Sequence, residues 1–239
     1  MNEMISFGAG VNSVAMTIML VEDGWRGPVV FSDPGSENPE TYCYIEYFER
    51  EYLKPRGLNI TRILPGSPYH KRSPLPLYEY CLDCGIVPFL AVRWCSKEWK
   101  VVPLTGWADE HGVTTMLIGF AADEYKRAKN HDGKTYPLID AGVTRAGCHR
   151  IITDAGLSLP VKSGCFFCPG RTISQWRSLY LDHPGLWDKA IAMEDRATAK
   201  YGRPITLLSR GSLRQLPERG WADQMQMDLS RWIPCACQL

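Results

Sequence analysis

The stretch MISFGAGVNSVAMTIML, residues 4–20, decides how the rest of the chain is interpreted. A short apolar segment over 2–7 predicts a strand, and apolar side chains at helical spacing predict a helix over about 12–23. The connection between them is built around Gly-Ala-Gly at 8–10. The backbone N–H groups of a turn without bulky side chains, beside the positive end of a helix, suit a phosphate group. A tight turn without any ligand fits the spacing equally well.

The alternation of strand and helix continues along the chain. A helix is predicted over 37–53, where Pro39 suits the first turn, and 65–95 is an excursion rich in Pro, Tyr and Cys. Further strands are predicted over 28–35, 58–64 and 114–120. This rhythm is typical of an α/β fold in which helices cover both faces of a parallel, twisted sheet. Ligands of such sheets bind beyond the carboxyl ends of the strands, which predicts one site from residues 6–13, 33–37 and 119–124.

The composition limits the class of protein. The 239 residues carry 27 basic and 26 acidic side chains, so the net charge of +1 gives no general electrostatic attraction to nucleic acid. No apolar run approaches the roughly 18 residues that a membrane span needs, and the first residues lack the pattern of a secretion signal. A cytoplasmic protein without a membrane partner is therefore expected. Residues 1–170 are predicted to form an α/β domain, with 171–239 as a helical extension packed on it.

Nine cysteines are many for such a chain. In a reducing cytoplasm they are not expected to form a disulfide framework, and Cys43 is expected to be a small buried side chain. Cys165 and Cys168 form a CxxC pair, whose two thiolates can bind one metal ion or cluster from a single turn; buried thiols without metal are the alternative. Two other pairs could supply a further ligand or relay sulfur: Cys81 with Cys84, and Cys235 with Cys237.

The loop sequence GAGVNS (8–13) resembles the SGGxDS pyrophosphate loop of the N-type ATP pyrophosphatases. This superfamily includes the phosphoadenosine phosphosulfate (PAPS) reductases and the adenine-nucleotide α-hydrolases. The chain departs from the motif where Gly8, Ala9 and Asn12 replace Ser, Gly and Asp. The fold that the resemblance implies is again a parallel α/β sheet, with the pyrophosphate loop after its first strand.

Further segments resemble the same superfamily in the same order. FSDPGSENPET (31–41) is similar to the segment that lies near the nucleotide after the second strand, and RWCSKEWK (93–100) is similar to an R-x-C-(S/T)-x-x-x-K element. GFAADEYKR (119–127) resembles G-x-R-x-x-E-S-x-x-R, although Ala121 replaces the first Arg. The cysteine-bearing stretch 136–170 resembles a PAPS-reductase-like branch found in phages and in DNA-modification systems.

The resemblance implies an ATP site that works with Mg²⁺. The residues that it places at the nucleotide are Ser6, Phe7, Gly8, Ala9, Gly10, Asn12, Ser13, Asp33, Gly119 and Glu124. The residues that it implicates in catalysis are Ser13, Asn12, Lys97 and Arg127. Further basic residues on the matching segments suit an anionic ligand, and they are Lys100, Lys129, Lys162 and Arg171.

A metal group is implied as well, because the DNA-phosphorothioation branch of the superfamily carries an iron–sulfur cluster. The resemblance therefore implies a 4Fe–4S cluster, with Zn²⁺ as the alternative. The expected ligands are Cys95, Cys148, Cys165 and Cys168. One of the two other cysteine pairs could supply the fourth ligand in place of Cys148.

The implied function is that of an ATP pyrophosphatase that adenylylates an acceptor for sulfur incorporation, with DNA phosphorothioate modification as the leading pathway. The implied partners are a cysteine desulfurase as sulfur donor and DNA or tRNA as acceptor, reached directly or through partner subunits. The alternatives are a PAPS or adenylyl-sulfate reductase, a tRNA thiolation enzyme and a non-catalytic nucleotide-binding protein. The residues around CAC, 235–237, do not match the ECGxH-type element of the reductases, which disfavours that alternative.

Overall fold

Five parallel strands form the centre of the protein, a computed structural model of which describes residues 2–128, 133–209 and 211–221. The strands are β1 (Glu3–Ser6), β2 (Val29–Ser32), β3 (Ile60–Ile63), β4 (Thr115–Ile118) and β5 (Lys134–Thr135). They lie in the order β3-β2-β1-β4-β5, and all neighbouring strands are parallel. The predicted parallel α/β fold is confirmed, and β5 is a short edge strand that the sequence pattern did not indicate.

Ten α-helical segments cover or connect the strands in the described part of the chain. The first five are α1 (Val11–Glu22), α2 (Pro39–Phe48), α3 (Leu77–Cys84), α4 (Trp94–Ser96) and α5 (Val102–Glu110). The others are α6 (Pro137–Asp140), α7 (Arg145–Asp154), α8 (Ile173–Asp182), α9 (Pro184–Tyr201) and α10 (Gln215–Glu218). A π-helical turn, Glu49–Leu53, extends α2, and another, Lys97–Val101, joins α4 to α5. None of the described helices has the length and apolar character that a membrane span requires.

Helices cover both faces of the sheet, as predicted. Successive strand residues point to opposite faces, so each strand contributes to two separate cores. Ile5, Val29 and Phe31 belong to the core that contains the apolar residues of α1 and α2. Met4 and Val30 belong to a smaller core with the apolar residues of α5.

A third apolar cluster joins the C-terminal helices to earlier segments of the chain. Trp176 of α8 and Trp187 of α9 belong to it, together with Leu77 of α3 and Trp99. Phe167, inside the CxxC pair, is fully buried in the same cluster. The helical C-terminal part expected from the sequence is therefore present, and it shares a core with the excursion. The domain boundary drawn at residue 170 stays a prediction.

A buried acid, Glu194 of α9, holds the segment that follows this helix. Its Oε1 accepts the backbone N–H of Leu207 at 2.8 Å, and its Oε2 accepts that of Leu213 at 2.9 Å. Burial raises the pKa of Glu194 to about 7, against the effect of these two hydrogen bonds. Glu194 therefore binds a proton more tightly in the folded chain than in the unfolded chain.

We expect Glu194→Gln to change the pH dependence of stability. A carboxyl whose pKa is raised by folding contributes stability that is complete below its unfolded pKa of 4.5 and is lost as the pH rises through about 7. The free energy of unfolding of the wild type should therefore fall across this range relative to that of E194Q. Urea unfolding measures both, with Glu46→Gln, at an exposed glutamate of α2, as the control. Parallel pH profiles of wild type and E194Q would contradict this expectation.

Candidate functional site

The connection from β1 to α1 forms a tight loop at the carboxyl edge of the sheet. We call residues 7–13 the β1–α1 loop. Within it Ala9 has a φ of 54°, in the left-handed region that favours glycine. The hydroxyl of Ser13 accepts the N–H of Gly10 at 3.2 Å and donates to the carbonyl of Gly10 at 3.0 Å. Because Ser13 is also fully buried, its hydroxyl serves to hold the shape of the loop.

The chain after β4 lies against this loop at Gly119. A Cβ atom on Gly119 would lie 3.0 Å from backbone atoms of Asn12 and Ser13, closer than nine in ten such contacts. The absence of a side chain at this position therefore allows the chain to approach the first turn of α1. The approach brings Glu124, on the 3₁₀ turn Ala122–Arg127, to the side chain of Asn12.

A polar network joins Asn12 to two other segments. Asn12 Nδ2 donates to Glu124 Oε2 at 2.6 Å, and the guanidinium of Arg127 pairs with Glu124 Oε1 at 2.5 Å. The same guanidinium lies over the ring of Phe120, 4.3 Å from the ring centre. Arg145, the first residue of α7, donates to Asn12 Oδ1 at 3.4 Å. The structure thus places Asn12, Glu124 and Arg127 together, while their roles in binding and catalysis stay predictions.

Asp33 lies after β2, the strand next to β1, and is buried. The hydroxyl of Tyr42 and the backbone N–H of Gly35 both donate to Asp33 Oδ1 at 2.7 Å. Burial raises the pKa of Asp33, and these two hydrogen bonds oppose that shift. The contacts shape the turn that leads from β2 towards the cysteine-bearing segment.

Three of the four cysteines predicted as metal ligands border one open pocket, which we call the thiol pocket. They are Cys95, Cys165 and Cys168. Pro34, two residues beyond β2, also borders it, so the thiol pocket lies at the same edge of the sheet as the β1–α1 loop. Its walls combine apolar side chains such as Phe89 with cationic ones such as Lys162 and Arg93.

Backbone hydrogen bonds fix the CxxC turn to the end of β2. Residues 36–38 and 164–166 pair on both sides of Cys165, with N···O distances of 3.0 and 3.1 Å. The N–H of Cys168 donates to the carbonyl of Cys165 at 3.0 Å, which places both cysteines on one turn. Burial raises the pKa of Cys95, Cys165 and Cys168 alike. Protonated thiols are therefore the resting form of this group.

A buried ion pair lies beside these thiols. Lys100 Nζ is 2.5 Å from Glu37 Oε1, and the two side chains are 4% and 0% exposed. Glu37 Oε2 has no hydrogen-bond partner among the residues that the structure describes. Burial is the main cause of the raised pKa of Cys165; Glu37 adds to it and Lys100 opposes it. The lysine at the thiols is therefore Lys100, whereas Lys97 is exposed to solvent.

Cys148 lies apart from the other three predicted ligands, and its role as the fourth ligand stays a prediction. Cys148 is buried in the core that contains α1, whereas Cys95 and Cys165 pack against the cluster of the C-terminal helices. The physical reason is that α7, which carries Cys148, packs along α1. Burial raises the pKa of Cys148 to about 12, and its charged neighbours include Arg145 and Asp123.

The remaining cysteines occupy varied positions. Cys81 is buried and Cys84 is half-buried, while Cys43 is exposed, which corrects the expectation that it is buried. Cys235, Cys237 and Lys129 lie outside the described residues. Within residues 2–128, 133–209 and 211–221, no three His, Cys, Asp or Glu side chains are grouped as ligands for a single metal ion.

Two residues of the site were not singled out from the sequence. Glu37 stands at the end of the predicted site segment 33–37, but its pairing with Lys100 joins positions 63 residues apart and leaves no local signal. Arg145 lies within the matching stretch 136–170 without being singled out there, and it is placed by the packing of α7.

Residues 2–133 match the family of the phosphoadenosine phosphosulfate reductase domain. The uncharacterized protein MJ0066 of Methanocaldococcus jannaschii is 26% identical over 205 residues, which cover 78% of this chain and 40% of that protein. The adenosine 5'-phosphosulfate reductase of Deinococcus radiodurans is 28% identical over 114 residues, covering 48% of this chain and 40% of that protein. The chain thus spans about 40% of the length of these two relatives.

A solved structure of phosphoadenylyl-sulfate reductase from Candida auris, in complex with phosphate, is similar with a TM-score of 0.48. It is 16% identical, and the match covers 67% of this chain and 75% of that chain.

We expect Asn12→Asp to destabilise the β1–α1 loop at high pH. Asn12 donates to Glu124 at 2.6 Å, and an Asp would instead place a second carboxylate against the first. The loss should be about 1–3 kcal/mol at pH 8 and should shrink as the pH falls, since a shared proton relieves the repulsion. Addition of Mg²⁺ should relieve it as well. Thermal unfolding at about pH 5 to 8, where two neighbouring carboxyl groups share a proton, measures the effect.

Asn12→Ala is the matched control for this substitution. It removes the same hydrogen bond without adding a carboxylate, so its loss of stability should not depend on pH or on Mg²⁺. If N12D and N12A showed the same pH profile, carboxylate repulsion would not be the cause.

Proposed function

Because the chain belongs to the family of the phosphoadenosine phosphosulfate reductase domain, we propose that it binds an adenine nucleotide at the β1–α1 loop and activates it for sulfur chemistry. The observation that carries this proposal is the position of two groups at one edge of the sheet. The β1–α1 loop follows β1, and the thiol pocket lies beyond the adjacent strand β2. A phosphate site and a set of thiols at neighbouring strand ends suit a reaction that joins nucleotide activation to sulfur transfer.

We propose adenylylation as the reaction. An oxygen of the acceptor attacks the α-phosphate of ATP, the bond to the β-phosphate breaks, and pyrophosphate leaves. Backbone N–H groups of the β1–α1 loop stabilise the charge that builds on the phosphates, and Arg127, paired with Glu124, lies nearby. Mg²⁺, when bound with ATP, supplies further charge neutralisation. The terminal sulfur of a persulfide then attacks the adenylylated acceptor and AMP leaves, after which a second thiol breaks the S–S bond, frees the thiolated product and forms a disulfide.

DNA is the acceptor that we propose first, with a cysteine desulfurase as the sulfur donor. A non-bridging phosphate oxygen of DNA would attack ATP and would later leave with AMP when sulfur takes its place. A tRNA base is the alternative acceptor for the same adenylylation. The experiment below uses DNA, and tRNA supplied in place of DNA tests the alternative.

Sulfonucleotide reduction is the second candidate. Support for it comes from the Deinococcus radiodurans relative, which is named as an adenosine 5'-phosphosulfate reductase. In this reaction a thiol attacks the sulfur of the sulfonucleotide, AMP leaves, and a second thiol releases sulfite as a disulfide forms. Sulfite release with a thiol reductant therefore separates this candidate from adenylylation.

We expect ATP labelled at the α-phosphate to yield pyrophosphate and labelled AMP in the presence of Mg²⁺, DNA and sulfide, which displaces AMP from the adenylylated DNA. Ser13→Ala removes the hydroxyl that holds Gly10, so turnover should fall on the order of tenfold or more. Ser178→Ala, which removes a hydroxyl that donates to Asp182 on α8, is the control and should keep full turnover.

Three results would count against adenylylation. One is ADP and inorganic phosphate as the products. Another is sulfite from adenosine phosphosulfate without any pyrophosphate from ATP, which would favour reduction. The third is nucleotide binding without turnover, which would favour a non-catalytic binding protein.

We propose further that the thiol pocket holds a metal group through Cys95, Cys165 and Cys168. Thiolates are the donors that iron–sulfur clusters use, and three of them border one pocket here. Zn²⁺ uses the same thiolate donors and is the alternative occupant. A bound cluster would supply electrons or hold sulfide beside the nucleotide. The position of Lys100 among the thiols suits such an assembly, because its charge offsets that of the thiolates.

Metal analysis tests this assignment. Anaerobically purified protein should contain iron and acid-labile sulfide. It should also absorb visible light at about 400 nm, as iron–thiolate centres do. Cys165→Ser should lose most of the iron, whereas Cys148→Ala should retain it, because Cys148 lies in the other core. A C165S variant that kept its full metal content would contradict the assignment, and zinc in place of iron would contradict the choice of cluster.

A further inference from the structure

We propose that Arg145 is a nucleotide-binding residue that contacts the phosphate groups beyond the α-phosphate. We make this inference on the premise of the proposed function, namely that an adenine nucleotide binds at the β1–α1 loop. The sequence comparison gave Arg145 no role within the stretch 136–170, and its position follows from the packing of α7 and from its contacts.

Two backbone contacts fix Arg145 beside the turn that follows β4. The N–H of Ala122 donates to the carbonyl of Val143 at 2.7 Å. The N–H of Arg145 itself donates to Asp123 Oδ1 at 3.1 Å. These bonds hold the start of α7 against the segment that carries Glu124, independently of the Arg145 side chain.

The body of α7 packs along α1, and this contact sets the distance from Arg145 to the β1–α1 loop. Cys148 and Ile152, on the inner face of α7, are fully buried in the same core as Val14 of α1. The helix α1 begins at the carboxyl edge of the sheet, because it follows the loop after β1. The helix α7 begins at the same edge, because its first residue is hydrogen-bonded to the turn after β4. The guanidinium of Arg145 consequently reaches the first turn of α1, where it donates to Asn12 Oδ1 at 3.4 Å.

The charge of Arg145 is available to an anion. Arg127 is paired with Glu124 at 2.5 Å, so its charge is largely balanced within the protein. Arg145, by contrast, is exposed, and its side chain contacts the neutral amide of Asn12. Among the described residues, no carboxylate forms an ion pair with the Arg145 guanidinium. The long contact to an amide is weak and can give way to two charge-assisted hydrogen bonds with a phosphate.

Arg145 also supplies a cation where the chain has lost one. Ala121 stands at the position of the first Arg in the motif that 119–127 resembles. Its small side chain is fully buried and carries no charge. A residue from α7 that reaches the same turn compensates for that loss. Because guanidinium binds phosphate through two parallel hydrogen bonds, Arg145 suits the polyphosphate better than a lysine would.

Binding measurements with ATP and AMP test this inference by isothermal titration calorimetry on the full chain. We expect Arg145→Ala to weaken ATP binding by about tenfold or more and to change AMP binding less than about twofold, because AMP lacks the outer phosphates. Arg145→Lys should recover part of the loss for ATP. Arg150→Ala, at another exposed arginine of α7, should bind both nucleotides as the wild type does.

The outcomes separate this inference from the proposed function. If the wild type bound neither ATP nor AMP, the proposed nucleotide site would be wrong and this inference would fall with it. If the wild type bound ATP and R145A bound it equally well, the site would stand and the role of Arg145 would be refuted. Equal weakening of ATP and AMP would also refute contact with the outer phosphates. Circular dichroism of R145A should match the wild type, because its backbone bonds remain.

Discussion

The contact between Gly119 and the first turn of α1 is the constraint on which the candidate nucleotide site depends. Because Gly119 has only a hydrogen atom facing the backbone of Asn12 and Ser13, the chain leaving β4 can touch the β1–α1 loop. That contact brings Glu124 within hydrogen-bonding distance of Asn12 and thereby sets the position of Arg127. A side chain at position 119 would push the end of β4 away from the end of β1, while the rest of the sheet could remain intact.

The thiol pocket depends on a different kind of constraint, the pairing of opposite charges without water. Lys100 and Glu37 are both buried, and a charge in such surroundings is tolerated only beside a partner. Their pair fixes the π-helical turn before α5 to the turn after β2. The same lysine lies near all three thiols of the pocket, so a single buried cation both pairs with Glu37 and faces the thiols.

Much of the fold could be predicted from the sequence, because buried parallel strands are short apolar runs and their alternation with helices is a strong pattern. The strand β5 was missed, since two residues carry no periodic signal. Within the candidate site, the CxxC pair is close by local geometry alone. Whether Cys148 joins it depends on which helix α7 packs against, and that is a tertiary choice that no spacing encodes. The motif favoured Lys97 over Lys100 as the catalytic lysine, because a motif does not show which side of a helical turn is buried.

The unequal exposure of the cysteines gives the protein a built-in order of chemical access. The three thiols of the thiol pocket are half-buried, whereas Cys43 lies open to solvent on α2. Of the described cysteines, Cys43 is therefore the one that a bulky maleimide meets first on the native protein. Since α2 begins a few residues after the turn that carries Glu37, a fluorophore attached there would sit close to the thiol pocket without occupying it. Cys43 is thus a position at which a fluorophore can report on changes in the thiol pocket.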